Sequence, residues 1–85
     1  MESRVAVISI IVENNNTVEE LNKLLHDHGD IIIGRMGIPY KARSINIISI
    51  AVDGPQDEIA ALAGKIGALP GVSAKAAYSK VGENA

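Results

Sequence analysis

Val7-Ile8-Ser9-Ile10-Ile11-Val12-Glu13 returns forty residues later as Ile47-Ile48-Ser49-Ile50-Ala51-Val52-Asp53, with the serine and the closing acid both retained. Self-similarity at a fixed period marks duplicated supersecondary units. Each copy is followed by a polar turn, a segment of helical period, a glycine and a second apolar run, so each half reads strand, helix, strand. Past the turn the offset becomes 41, pairing Val18 with Ile59 and Leu21 with Leu62.

The first helix is expected to start at Thr17, where Thr17-Val18-Glu19-Glu20 fits a capping box, the hydroxyl and Glu20 each satisfying an orphan backbone donor. Val18, Leu21, Leu24 and Leu25 fall on one side of it, and Gly29 is expected to stop it in a left-handed conformation. The second helix follows Asp53-Gly54-Pro55 with Asp57 as cap and presents Ile59, Leu62, Ile66 and Leu69 at helical spacing, with Gly67 and Leu69-Pro70-Gly71 ending it.

The four apolar runs divide into two kinds. Residues 5–12 and 45–52 are apolar at nearly every position, as central strands are, whereas 31–39 carries Gly34, Arg35, Gly37 and Pro39, and 72–79 carries Lys75 among small residues. Strands one and three therefore belong in the middle and two and four at the edges. The fold class is α+β: a ferredoxin-like βαββαβ sandwich, with a four-stranded antiparallel sheet, two helices on one face and right-handed crossovers. Tyr40 to Ser44 turns the chain between the halves, one domain spans 4–80, and 81–85 form a short C-terminal tail.

With both helices on one face, the other face must also receive apolar side chains. Either Val5, Val7 and Ile11 or Ala6, Ile8, Ile10 and Val12 point away from the helices. A contiguous apolar surface of that kind marks an interface, so a homodimer or homotetramer joined through sheet faces or edges is expected.

Composition excludes much of what such a fold can do. The chain has 85 residues, with no Phe, Trp or Cys, so its core is built from aliphatic side chains and stability comes from packing. Without aromatic rings on the central strands there is no platform for stacking RNA bases. Without cysteine there is no iron-sulfur cluster, zinc knuckle or thiol chemistry. Eight Lys and Arg against ten Asp and Glu, a formal net charge of −2, argue against phosphate neutralisation of a nucleic acid. The N-terminal apolar run is too short to span a bilayer and lacks a cleavage pattern, which reads as a cytoplasmic protein without membrane attachment.

Fold does not imply function, so candidate sites carry the argument. Arg35 interrupts an apolar strand between Gly34 and Gly37, where a guanidinium can hold a carboxylate or phosphate and the glycines allow close approach. Asn14, Asn15 and Asn16 fill the first strand-to-helix loop, where amides can grip a small ligand. These six residues form the expected ligand site. The ordinary roles of an edge-strand charge and of turn asparagines stand beside that reading. His26 and His28 flank Asp27, but residues two apart on a helix point about 200° apart, so both could hold one ion only if the helix ended between them; they stand as weak metal candidates beside the ordinary role of a polar helix end. No residues form a catalytic set, and neither an enzyme nor a cofactor is expected.

The run Gly29-Asp30-Ile31-Ile32-Ile33-Gly34-Arg35-Met36-Gly37-Ile38-Pro39-Tyr40, with Leu69-Pro70-Gly71-Val72-Ser73-Ala74-Lys75 and Ala77-Tyr78-Ser79-Lys80, resembles the regulators of the iron-only hydrogenase system. The likeness spans Arg4 to Lys80. It implies an ACT-like domain, similar to the ligand-binding half of the nickel-responsive repressor, and it implies oligomers. That repressor reads DNA with a separate ribbon-helix-helix arm, for which one domain and a five-residue tail leave no room here. Its nickel site also uses a cysteine, so nickel sensing does not transfer. Two functions follow as expectations. One is a regulatory module that binds a small effector, such as an amino acid or another anion, between protomers near Asn14 to Asn16 and Arg35. The other is an adaptor whose sheet face docks a protein partner without a ligand.

Overall fold

A computed structural model describes residues 3–80, and the expected tail, 81–85, lies outside the described residues. Four strands and two helices follow in the order β1 (Arg4–Val12), α1 (Val18–Asp27), β2 (Ile32–Tyr40), β3 (Ile45–Gly54), α2 (Gln56–Gly67) and β4 (Val72–Tyr78). The sheet is antiparallel throughout with strand order β2-β3-β1-β4, so the two strands of unbroken apolar pattern are central. This is the ferredoxin-like sandwich expected from the repeat.

The repeat has a structural meaning in the register. Ser9 pairs with Ser49, Val7 with Ala51 and Ile11 with Ile47, so β1 and β3 are related by a pseudo-two-fold axis passing between the two serines. Side chains alternate between faces along a strand. Ala6, Ile8, Ile10 and Val12 turn to the helices with Ile48, Ile50 and Val52, and are buried against Leu21, Leu25, Ile59, Leu62 and Ile66. Val5, Val7 and Ile11 turn the other way.

Local ends differ from expectation in three places. Thr17 makes no capping bond; its buried hydroxyl donates instead to Pro70 O at 2.7 Å, tying the start of α1 to the turn before β4. The N-terminal turn is managed by Asn14, whose Oδ1 accepts from Asn16 N at 3.0 Å and opens a short 3-10 turn. Gly29 is not left-handed; α1 unwinds through bonds from His28 N to Leu25 O and Gly29 N to His26 O, which satisfy its last carbonyls. Asp57 lies inside α2, where its carboxylate accepts from Glu58 N, while Pro55 stands at the cap and its carbonyl accepts from Glu58 N and Ile59 N. Pro at this boundary suits the first turn, whose free N–H groups it does not share.

The two helices cover the sheet unequally. α2 lies closely along β4, with Gly67 against Ala74, whereas α1 approaches no strand so closely. Side-chain volume sets the spacing: α1 meets the sheet with Leu21, Leu24 and Leu25, while α2 carries Ala63 and Gly67 on its β4 side. As a result β2 is exposed along nearly all its length.

Candidate functional site

The uncovered strip between α1 and β2 is a cleft of about 380 Å3 lined by Asn22, Leu25, His26, Gly29, Ile32 and Arg35. Arg35 pairs with Ile50 in the β2–β3 register and so projects toward the helical layer. At the matching place in the second half, opposite Ile10, stands Ala74. One half of the repeat thus closes its helix onto the edge strand over a methyl group, and the other leaves a gap with a guanidinium in it.

That guanidinium is oriented. Arg35 Nη2 donates to Asn22 Oδ1 at 2.8 Å, which also fixes the amide so that Asn22 Nδ2 is a second donor. Its other N–H groups have no partner among the described residues. His26 from the last turn of α1 borders the same cleft, Leu25 and Ile32 supply apolar walls, and no carboxylate lines it. Such a set of donors over apolar walls suits a small anion.

Gly34 and Gly37 flank Arg35 on alternate faces. A Cβ at Gly34 would meet nothing within 4 Å, and one at Gly37 would only touch Ile47 O and Ile48 at 4.0 Å, so neither glycine is demanded by crowding within the chain. The space beside Arg35 is open on both sides.

The asparagines stand elsewhere. Asn15 Oδ1 accepts from Asn46 Nδ2 at 3.1 Å at the far end of β3, beside a second cleft of about 350 Å3 bordered by Pro39, Tyr40, Lys41 and Ser44. Asn14 is engaged in its turn and packs on Gly71. Arg35 and the asparagine loop therefore occupy separate clefts along β2, and the residue that joins Arg35 is Asn22, which lies on the polar side of α1 with no motif to single it out. Of the histidines, His28 turns toward α2, its Nδ1 3.8 Å from Glu58 Oε2, while His26 faces β2. No cluster of three or more His, Asp or Glu side chains fit to hold a metal occurs among the described residues.

On the opposite side of the sheet, Val5, Val7, Ile11, Met36, Ile38, Tyr40 and Ile47 are all exposed. Among the described residues no helix is long and apolar enough to cross a membrane.

Comparison with known proteins agrees with this architecture. Residues 4–76 match the family described as "TM1266-like: Iron-only hydrogenase system regulator, putative". A solved structure described as uncharacterized protein TM1266 from Thermotoga maritima superposes with a TM-score of 0.88 at 31% identity, covering 93% of this chain and 100% of that one. No curated protein matches the chain.

Proposed function

The chain belongs to the TM1266-like family of iron-only hydrogenase system regulators, and from that premise we propose that it is a non-catalytic regulatory module that binds a small anionic effector in the α1/β2 cleft. The reading takes residues 4–80 as one domain and the working unit as a homodimer or homotetramer in the cytoplasm. The reading involves no cofactor. Regulation passes through the effector or a protein partner.

The observation that carries it is the cleft in which Arg35, held by Asn22, offers spare N–H groups beside His26 with no competing carboxylate. A carboxylate bound there gains charge-assisted bonds from a guanidinium that is already oriented, so little side-chain entropy remains to be lost. The effector class is an amino acid or another small organic anion whose apolar part rests on Leu25 and Ile32.

A thermal-shift screen of amino acids, small anions and divalent metals tests this. A ligand at a hundred times its dissociation constant stabilises by about 2.7 kcal/mol. The expected result is an anion whose shift is lost in Arg35→Ala and kept in Asn15→Ala. A shift that survives Arg35→Ala, or no hit at all, overturns it. The uncovered apolar sheet face favours a second reading, an adaptor that docks a protein partner without any ligand. Silence across the screen with a specific partner recovered on that face supports the adaptor.

A further inference from the structure

The two clefts beside β2 are the ends of one groove. Val18 borders the second cleft and Asn22 and His26 the first, and these three follow at four-residue spacing, so one side of α1 runs past both. Opposite that side, β2 turns Arg35, Gly37 and Pro39 toward the helical layer, since they pair with Ile50, Ile48 and Asn46. Over the roughly 13 Å from Arg35 to Pro39 the wall of the groove is therefore a bare glycine. Nothing within the chain calls for it, because a Cβ at Gly37 would make only ordinary contacts at 4.0 Å. A glycine that weakens a strand without being required by its own neighbours marks a place where another backbone comes close.

The same residues offer main-chain groups at the sheet edge. Pro39 has no N–H to exchange with Asn46, so it takes a non-hydrogen-bonded place in the β2–β3 ladder, and by alternation Arg35 and Gly37 also point their N–H and C=O groups outward. Charge is one-sided along this edge. Ile31 to Val52 contains no Asp or Glu; its charges are Arg35, Lys41 and Arg43, and all ten acids of the chain lie outside it. No carboxylate lines either cleft. The other edge has no such groove, since α2 lies against β4 with Gly67 on Ala74.

We propose that the α1/β2 groove docks an extended acidic segment of a partner protein, which adds to β2 as a further strand. Main-chain bonds to Arg35 and Gly37 hold the segment, and its alternate side chains face the groove. One carboxylate meets Arg35, a large apolar side chain fills the space over Gly37, and a second carboxylate reaches Lys41 beyond Pro39. The segment therefore alternates acid, apolar and acid at every second residue. A nucleic acid has no main-chain ladder to offer the edge, and three cations are few for neutralising a phosphate backbone. The inference rests on the part of the reading above that makes Arg35 a carboxylate anchor, and it supplies the chemistry of the partner and a mode of regulation. Free effector and docked segment share one guanidinium, so the effector releases the partner.

The test uses the full chain and a fluorescein-labelled peptide, Ser-Thr-Glu-Thr-Leu-Thr-Glu-Thr-Ser, followed by anisotropy. Saturable binding is expected, weakened roughly tenfold or more when both glutamates of the peptide become glutamine, and by a similar factor in Arg35→Ala. Gly37→Val fills the trough at a position with room for its Cβ, so it is expected to keep the far-ultraviolet spectrum of the wild type and to lose the peptide. Lys41→Glu, on an exposed turn, is the second variant should the first not fold. Amide exchange at Arg35 and Gly37 is expected to slow with the peptide and to be unchanged by a free anion. No binding at about 1 mM peptide overturns the docking, and an Arg35-dependent thermal shift with a free anion then leaves the effector reading standing. Peptide binding without any such anion supports the docking and overturns the free effector. Amides of Arg35 and Gly37 that are already protected, and lose protection on dilution, show a second copy on the edge, and displacement of the peptide by oligothymidylate shows a nucleic-acid groove; either result overturns the proposal.

Discussion

Thr17 is a residue at which local and tertiary demands compete. Its spacing to Glu20 is that of a capping box, yet the hydroxyl donates to Pro70 O, because in the folded chain that carbonyl faces it across the top of the sandwich. Thr17→Val removes the donor and leaves a carbonyl short of a partner, so a loss of about 1–2 kcal/mol is expected in urea unfolding. Gly71 beside it is the described glycine with positive φ, at 71°, and a Cβ there would come within 2.6 Å of Asn14 Cβ. Gly71→Ala therefore meets both backbone strain and a clash, and is expected to cost about 2 kcal/mol or more in the same measurement. Arg35 was legible as a residue out of place in an apolar strand. Asn22, its partner, was not, because a polar residue on the outer side of a helix is the commonest thing to find there.

At the scale of elements, type and order were legible from periodicity, which is a property of neighbouring residues. The ends were less so. α1 ends without a left-handed glycine and α2 begins at a proline, since several end geometries satisfy the same orphan groups and surroundings choose among them. The inequality of the helices was also hidden. Both carry aliphatic side chains at helical spacing, and only packing reveals that the leucines of α1 keep it from β2 while Gly67 lets α2 settle onto Ala74. The consequence is measurable by hydrogen exchange. Amides of β1 and β3, paired on both sides under a closed core, are expected to exchange orders of magnitude more slowly than the outward amides of β2.

For the whole molecule, the decisive fact is that two faces of one sheet have opposite fates. Ile50 is fully buried under the helices and Ile47, three residues away, is 40% exposed on the other side. Ile50→Ala is expected to cost about 2–5 kcal/mol in monomer stability. Ile47→Ala should cost well under half of that at concentrations where the chain is monomeric, because the water it meets there already reaches the side chain. Equal losses would show that the face is covered within one chain. The sequence by itself determined the four strands, the two helices, their order and the placing of the unbroken apolar strands at the centre, because those follow from local spacing and from a repeat that pairs with itself. It also marked Arg35 and left both sets of alternating side chains free to take the core. Only the tertiary structure decided that Ala6, Ile8, Ile10 and Val12 take it, that Asn22 rather than the asparagine loop joins Arg35, and that one half of the repeat stays open. Those choices depend on which distant surfaces meet and how large their side chains are, and neither is written in the spacing of residues along the chain.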